Sequence, residues 1–186
     1  MDKSWRLIDS ELVFNTPWYR IRKDKVQLPS GVIIEDYYVS ELPNVALVVP
    51  ITKDKEVVFV RQYRHPVRQI LTELPAGTFD KTKEESSAAA KRELLEETGY
   101  TTDNNFELLG SVFEYPTKDS HTIDLFLAQG VAKTAEPKSQ RNENIEVIKL
   151  SLPETLSRIY NGEIKVSGSI TAIFLAIHVL GFDQKS

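Results

Sequence analysis

The sequence predicts an α/β fold, on three observations. Two apolar runs of strand length, Ala46–Ile51 and Val57–Val60, flank a short polar turn at Lys53–Lys55. An alanine- and glutamate-rich segment follows and closes on Gly99. Further on, strand-like runs at Ile123–Ala128 and Ile145–Leu150 precede two stretches with helical periodicity. Continuous apolar runs bounded by turn residues read as strands buried on both faces, and their alternation with helices is the signature of a layered α/β domain.

Taken in order, Trp5–Val39 alternates irregularly between apolar and polar residues. Tyr19–Arg22, Asp24–Leu28 and Val32–Val39 read as strands, with Pro29-Ser30-Gly31 as a turn. The two central runs come next, then Arg61-Gln62-Tyr63-Arg64 and Glu73-Leu74-Pro75-Ala76-Gly77. A helix is expected from Thr82 as N-cap, with Glu85 three residues on completing a capping box. Ala88, Ala89 and Ala90 favour it, and Gly99 suits a left-handed C-cap. Ala88, Ala90, Leu94 and Leu95 supply its apolar surface. Pro153–Tyr160 reads as a helix with proline in its first turn. Ser169–Leu180 carries apolar residues at 170, 173, 174, 177 and 180, one helical face.

The chemistry sits on the middle helix. Residues four apart share a face, so Glu93 stacks on Glu97, and Arg92 on Glu96. Like charges at this spacing cost an isolated helix roughly 0.2–0.5 kcal/mol, and acids near a helix C-terminus oppose its dipole. A divalent cation removes that cost. Mg2+ takes carboxylates and water in an octahedral shell and leaves positions open for phosphates. The plainer reading is a solvated acidic face laced with Glu–Lys and Glu–Arg pairs.

Composition bounds the rest. A chain of 186 residues with 41% hydrophobic residues buries a real core as one domain, with room for an arm. A net charge of −4 disfavours general nucleic-acid binding. With no cysteine there is no disulfide, which suits a cytoplasmic protein. No signal-peptide pattern stands at the start, and no apolar run is long enough to span a bilayer.

The segment Gly77–Tyr100 resembles the Nudix box, G-x5-E-x7-R-E-U-x-E-E-x-G-U, with U a bulky aliphatic residue. Glu84, Arg92, Glu93, Leu94, Glu96, Glu97 and Gly99 match in register, and Tyr100 stands at the last aliphatic position. One departure is clear: six residues, not five, separate Gly77 from Glu84. The flanking VRQYRHP and ELPAG, with Pro116 about sixteen residues past Tyr100, resemble the ADP-ribose and nucleoside-diphosphate-sugar hydrolase branch.

That resemblance implies a Nudix α/β/α sandwich with a mixed sheet over residues 43–186, plus an N-terminal antiparallel β arm over residues 1–42 that serves dimerisation. It implies Mg2+-dependent hydrolysis of the pyrophosphate bond of ADP-ribose or a related nucleoside diphosphate sugar, with Mn2+ as the alternative ion. Two alternatives stay open: GDP-mannose or another nucleoside diphosphate sugar as substrate, and a sensing module that binds without turnover.

Residue roles follow from the same resemblance. Glu93 and Glu97 are expected as the principal metal ligands and catalytic acids, with Glu96 and Glu84 toward a further ion and Ala76 offering its backbone carbonyl. Arg92 is expected to hold the box carboxylates in place. Arg64 and Arg61 are expected on substrate phosphate, which guanidinium suits by its planar fork. Glu143 is the expected general base or a further ligand, although one alignment puts Arg141 at that position. Trp18, Tyr19 and Arg20 of the arm are expected to contact substrate, with Arg22 as a further phosphate contact. A homodimer is expected, with no nucleic-acid partner and no membrane. His65 stands as a modest substrate contact, His121 falls in a loop, and His178 reads as structural.

Overall fold

The computed structural model describes residues 3–138 and 145–181. The chain divides into two compact units, Met1–Pro43 with Phe113–Thr122, and Asn44–Val112 with Ile123–Ser186.

The first unit is a three-stranded antiparallel sheet in the order β1 (Arg6–Asn15), β2 (Arg20–Gln27), β3 (Ile33–Glu41). β1 was not expected from the sequence. Its register with β2 shifts between Leu7 and Asp9 and again between Leu12 and Phe14. Each bulge adds an unpaired residue and resets the two-residue period, so the apolar alternation breaks although the strand continues. β2 likewise runs unbroken through Lys23, where two separate strands were expected. The turn to β3 closes as expected, Leu28 N–H donating to Val32 O, with Gly31 at φ 87°. The segment Phe113–Thr122 joins this unit because Ser40 N–H donates to Lys118 O and Tyr37 Oη to Thr117 O.

The second unit carries the chemistry. Its sheet is built on β4 (Asn44–Thr52) and β5 (Glu56–Arg64), joined by a turn in which Lys55 N–H donates to Thr52 O. The two strands share only the pairing Ile51↔Val57 and then part. β6 (Gln69–Glu73) lines β5 along the gap, and β7 (Ala76–Phe79) lines β4. The chain crosses from one to the other at Leu74-Pro75. Proline has no N–H to give a ladder, so it tolerates this crossing. The Leu74 N–H donates instead to Ser169 Oγ, 3.0 Å away.

Next come α1 (Ser86–Thr98), β8 (Tyr100–Thr101), β9 (Phe106–Phe113), β10 (Thr122–Lys133), β11 (Glu146–Ser151), α2 (Leu152–Tyr160) and α3 (Ser167–Val179). β10 pairs parallel with β4 while the neighbouring pairings are antiparallel, so the sheet is mixed, in the order β11-β5-β4-β10-β8. β4 is buried on both faces. Ala46 and Val48 pack with Ala89, Ala90 and Leu94 of α1. Leu47, Val49 and Ile51 pack with Leu152, Ala172, Ile173 and Ala176 of α2 and α3. This is the α/β/α sandwich.

Three helix expectations need correction. α1 begins at Ser86, its N-cap Glu85 makes no side-chain cap bond, and Thr82 caps nothing. Asp80 has taken Thr82 instead, accepting from both its N–H and its hydroxyl. Second, Ala88 of α1 is exposed, and the buried stripe is Ala89, Ala90, Leu94 and Thr98. Third, α3 buries Gly168, Ser169, Ala172, Ile173 and Ala176, while Phe174 is 41% exposed. Small residues let this helix lie close on the sheet: a Cβ on Gly168 would stand 3.4 Å from Leu47 Cδ1. Close approach, not side-chain bulk, chose the buried face.

Candidate active site

The site is assembled where the β6–β7 crossover passes the C-terminal half of α1. Ala76 N–H donates to Glu97 Oε2 at 3.1 Å. One residue on, Gly77 lies directly under Glu93. A Cβ built there would stand 2.0 Å from both Cδ and Oε1 of Glu93. The φ of Gly77 is not in the left-handed region, so the glycine is needed for space alone. Two consecutive backbone positions therefore fix two carboxylates one helical turn apart.

Arg92 is the electrostatic centre of the group. Its Nε and Nη2 donate to the two oxygens of Glu84 at 3.1 and 3.0 Å, and Nη1 donates to Glu93 Oε1 at 2.6 Å and Glu96 Oε2 at 3.3 Å. Hydrogen bonding to Glu84 first, then to Glu93, holds the guanidinium far above its ordinary pKa. The Arg92 bond in turn pulls Glu84 below the usual carboxylate range. Glu96 is also lowered, chiefly by Lys138, whose Nζ lies 3.0 Å from Glu96 Oε1.

The extra residue before the helix is absorbed by a turn organised on Asp80. Lys83 and Glu84 N–H both donate to Asp80 O, and Lys83 Nζ lies 2.9 Å from Asp80 Oδ2. The Lys83 ammonium first, then the Thr82 hydroxyl and N–H, hold the Asp80 carboxyl well below its ordinary pKa. The turn delivers Glu84 to Arg92 despite the longer loop.

The helix exit is equally constrained. Gly99 sits at φ 74°, and its N–H donates to Leu95 O. Thr134 and Ala135 N–H both donate to Gly99 O, and Lys138 N–H donates to Glu96 O. A Cβ on Gly99 would meet Ala135 O at 2.0 Å, so this glycine is required by both conformation and space.

Arg64 and Arg61 stand at the end of β5, each on an acid. Arg64 makes a forked contact with Glu73, Nη2 to Oε2 at 2.6 Å and Nε to the same oxygen at 3.0 Å. Glu73 is only 7% exposed. Arg61 Nη1 donates to Glu146 Oε2 at 2.8 Å. Gln62 between them is buried, and its Oε1 lacks a hydrogen-bond partner among the described residues. Residues 58, 60, 62 and 64 share one face of β5 by the two-residue period, and Val58 on that face packs with α1. Sequence reading gave no role to Glu73, Gln62 or Lys138. Glu73 carried one faint signal, an acid between the arginines and the proline-alanine-glycine run.

In the first unit, Trp18 is 91% exposed, Tyr19 Oη is 2.7 Å from Ser40 Oγ, and Arg20 Nη2 is 3.1 Å from Glu41 Oε2. Arg22 is bound to Asp24 and Glu41. His121 is buried, its Nδ1 2.9 Å from Asp119 Oδ1 without hydrogen-bond alignment. His65 and His178 are exposed. Glu143 and Arg141 lie outside the described residues.

Residues 41–166 match the model of the NUDIX domain. The chain belongs to the Nudix family. Residues 5–40 match the nucleoside diphosphate sugar hydrolase N-terminal domain. Among curated proteins, this Nudix chain is 31% identical over 169 residues to a methanol dehydrogenase activator of Bacillus methanolicus, covering 90% of each chain. It is 28% identical over 186 residues to an ADP-ribose pyrophosphatase of Mycobacterium tuberculosis, covering 98% of this chain and 88% of that one. An ADP-ribose pyrophosphatase of Bacillus subtilis is 27% identical, over 86% of this chain and 85% of its own. A solved structure described as an ADP compounds hydrolase superposes with a TM-score of 0.85, covering 99% of this chain and 98% of that one; at 18% identity it shows the shared fold.

Nudix hydrolases generally need a divalent metal ion. The donor set fits one. Glu84, Glu93, Glu96 and Glu97 are hard oxygen donors, and the Gly77 cradle brings Glu93 against backbone in a space that a Cβ would fill. Among the described residues, no three acids or histidines converge as a ready-made cage. An ion such as Mg2+ does not require one, because it keeps several waters and binds through one or two carboxylates plus substrate phosphates.

Proposed function

We infer that this Nudix protein is a Mg2+-dependent pyrophosphatase of ADP-ribose or a closely related nucleoside diphosphate sugar, giving AMP and ribose 5-phosphate from ADP-ribose. The observation that carries the reading is the double anchoring of the acids, Glu97 on the Ala76 N–H and Glu93 on Gly77. It is supported by the family match of residues 5–40 and by the printed activity of the mycobacterial and Bacillus subtilis relatives.

In this reading Glu93 and Glu97 hold the ion, with Mn2+ as an alternative to Mg2+, Glu96 and Glu84 serve a further one, and the Ala76 carbonyl adds a hard donor. A divalent ion bound there supplies Lewis acidity and neutralises charge on the diphosphate. Arg92 ties Glu84, Glu93 and Glu96 to one guanidinium and so fixes where those carboxylates stand. Arg64 and Arg61 are assigned to phosphate, and the forked Glu73 contact orients the Arg64 guanidinium for it. Glu143 is assigned as the base that takes the proton of the attacking water. Trp18, Tyr19 and Arg20 are assigned to the substrate in a homodimer formed through residues 1–42. No helix among the described residues is long and apolar enough to cross a membrane. A cytoplasmic enzyme with no nucleic-acid partner is the accompanying proposal.

A second reading, hydrolysis of GDP-mannose or another nucleoside diphosphate sugar, is favoured by the breadth of the N-terminal family description. The test is a product assay over a panel of such sugars with Mg2+ and with EDTA. Release of AMP from ADP-ribose at the highest kcat/KM supports the first reading. Preference for a guanosine or uridine sugar supports the second. Tight nucleotide binding with no turnover of any member would leave only a sensing module.

A further inference from the structure

The acids of the box differ in what already occupies them. Both oxygens of Glu84 are taken by Arg92. Both oxygens of Glu96 are also taken, Oε2 by Arg92 and Oε1 by the Lys138 ammonium at 3.0 Å. The lysine reaches this acid from 42 residues away in sequence. It is delivered there by main-chain bonds that do not involve its side chain. Thr134 and Ala135 N–H donate to Gly99 O, and Lys138 N–H donates to Glu96 O at 2.8 Å. The segment is thus strapped to the end of α1, where backbone carbonyls are the unsatisfied groups of any helix. The Lys138 side chain is 70% exposed and that of Glu96 24%, so the pair is exchangeable and screened by salt.

We propose that Lys138 is a tethered internal cation that competes with a divalent ion for Glu96 and thereby sets the metal affinity of the site. The inference rests on the metal-binding reading of these acids. A strapped ammonium keeps Glu96 charge-balanced when no ion is bound, which limits repulsion between Glu96 and the acids that share Arg92 with it. An arriving dication must displace the ammonium from Oε1 and also meets its repulsion. Arg92 does not play this part. It is bound to three acids at once, and its loss would disorder them rather than release one.

The test is Mn2+ binding to the full-length protein without substrate, by electron paramagnetic resonance of free Mn2+ and by calorimetry. Lys138→Met keeps the backbone strap and removes the charge, and Lys138→Gln serves as a second neutral variant if the first aggregates. Loss of the ion-pair partner and loss of a nearby like charge both favour the dication, so both neutral variants are expected to bind Mn2+ roughly three- to tenfold tighter. Lys138→Arg is expected to bind no tighter than the wild type. The gap should shrink at high KCl. The rise in Tm between EDTA and saturating Mn2+ should be larger in the neutral variants. Affinity equal to or weaker than wild type in both neutral variants overturns the inference while leaving the metal site standing. No Mn2+ binding by wild type or variants overturns it together with the metal reading beneath it.

Discussion

Gly77→Ala separates catalytic geometry from stability. The added Cβ would stand 2.0 Å from Cδ and Oε1 of Glu93 and 2.6 Å from its Cγ. Carbon atoms pack at about 3.5–4.0 Å, so the Glu93 carboxyl must retreat by roughly 1.5 Å. The obstacle is the end of a flexible side chain rather than backbone, so the chain still folds. Holding Glu93 off its rotamer costs about 0.5–1.5 kcal/mol, a fall in Tm of about 1–6 °C for a domain of this size. Catalysis is less forgiving, since a misplacement of about 1 Å costs on the order of a hundredfold. The assay is a paired measurement of Tm and of Mg2+-dependent ADP-ribose hydrolysis, with Gly77→Ala/Glu93→Ala as the double variant. The stability loss caused by Gly77→Ala should largely vanish in a Glu93→Ala background, because the clash needs both partners. Hydrolysis within threefold of wild type in Gly77→Ala would refute the claim that the close approach of β7 sets the position of Glu93.

Arg92→Ala releases Glu84, Glu93 and Glu96, and hydrolysis should fall about 10- to 100-fold, as loss of a residue that orients metal ligands does. It should also flatten the acid limb of the stability curve. Glu84 has a pKa depressed by Arg92, so its stabilisation is fully present above about pH 4.3 and lost as pH falls through its lower folded value, whereas Glu96, lowered chiefly by Lys138, keeps most of its share in the variant; circular dichroism against pH checks the sign. Ser169→Ala leaves the buried Leu74 N–H without its acceptor and should cost about 1–3 kcal/mol by denaturant unfolding, although it lies outside the acid cluster. Gly99→Ala should be far more damaging than Gly162→Ala. Both glycines have positive φ, but only Gly99 would drive a Cβ into backbone, at Ala135 O; Gly162 meets nothing and should lose only about 1–2 kcal/mol in thermal unfolding.

What the sequence disclosed was local, and what it hid was long-range. The acid face of α1 and its glycine stop could be read because helix periodicity places Glu93 on Glu97, and because only glycine tolerates the left-handed exit. The start of α1 was misplaced because Thr82 satisfies a capping pattern that Asp80 then overrides with a tighter local bond. β1 was missed because two bulges break its period, and the face of α3 was misjudged because small residues rather than large ones set the contact. β6 and β7 were visible only as a motif, since each has a single partner strand in the gap between β4 and β5. In the site, Glu93, Glu97 and Arg92 share one helix and were legible together. Glu73, Gln62 and Lys138 were not, because their significance comes from a neighbouring strand or from a strap across the helix end. Arg61 and Arg64 were legible as phosphate-type arginines, but their acid partners Glu146 and Glu73 emerged only with the pairing of β5 to β11 and β6.

The most direct measurement is the rate of AMP release from ADP-ribose by wild type and Glu97→Gln across a Mg2+ titration. Glu97→Gln keeps the size of the side chain and an oxygen for the Ala76 N–H, but removes the charge that meets the ion. The account predicts a saturable Mg2+ dependence in the wild type and a fall of about a thousandfold or more in the variant. Equal turnover by both proteins, or wild-type turnover undiminished by EDTA, would contradict it.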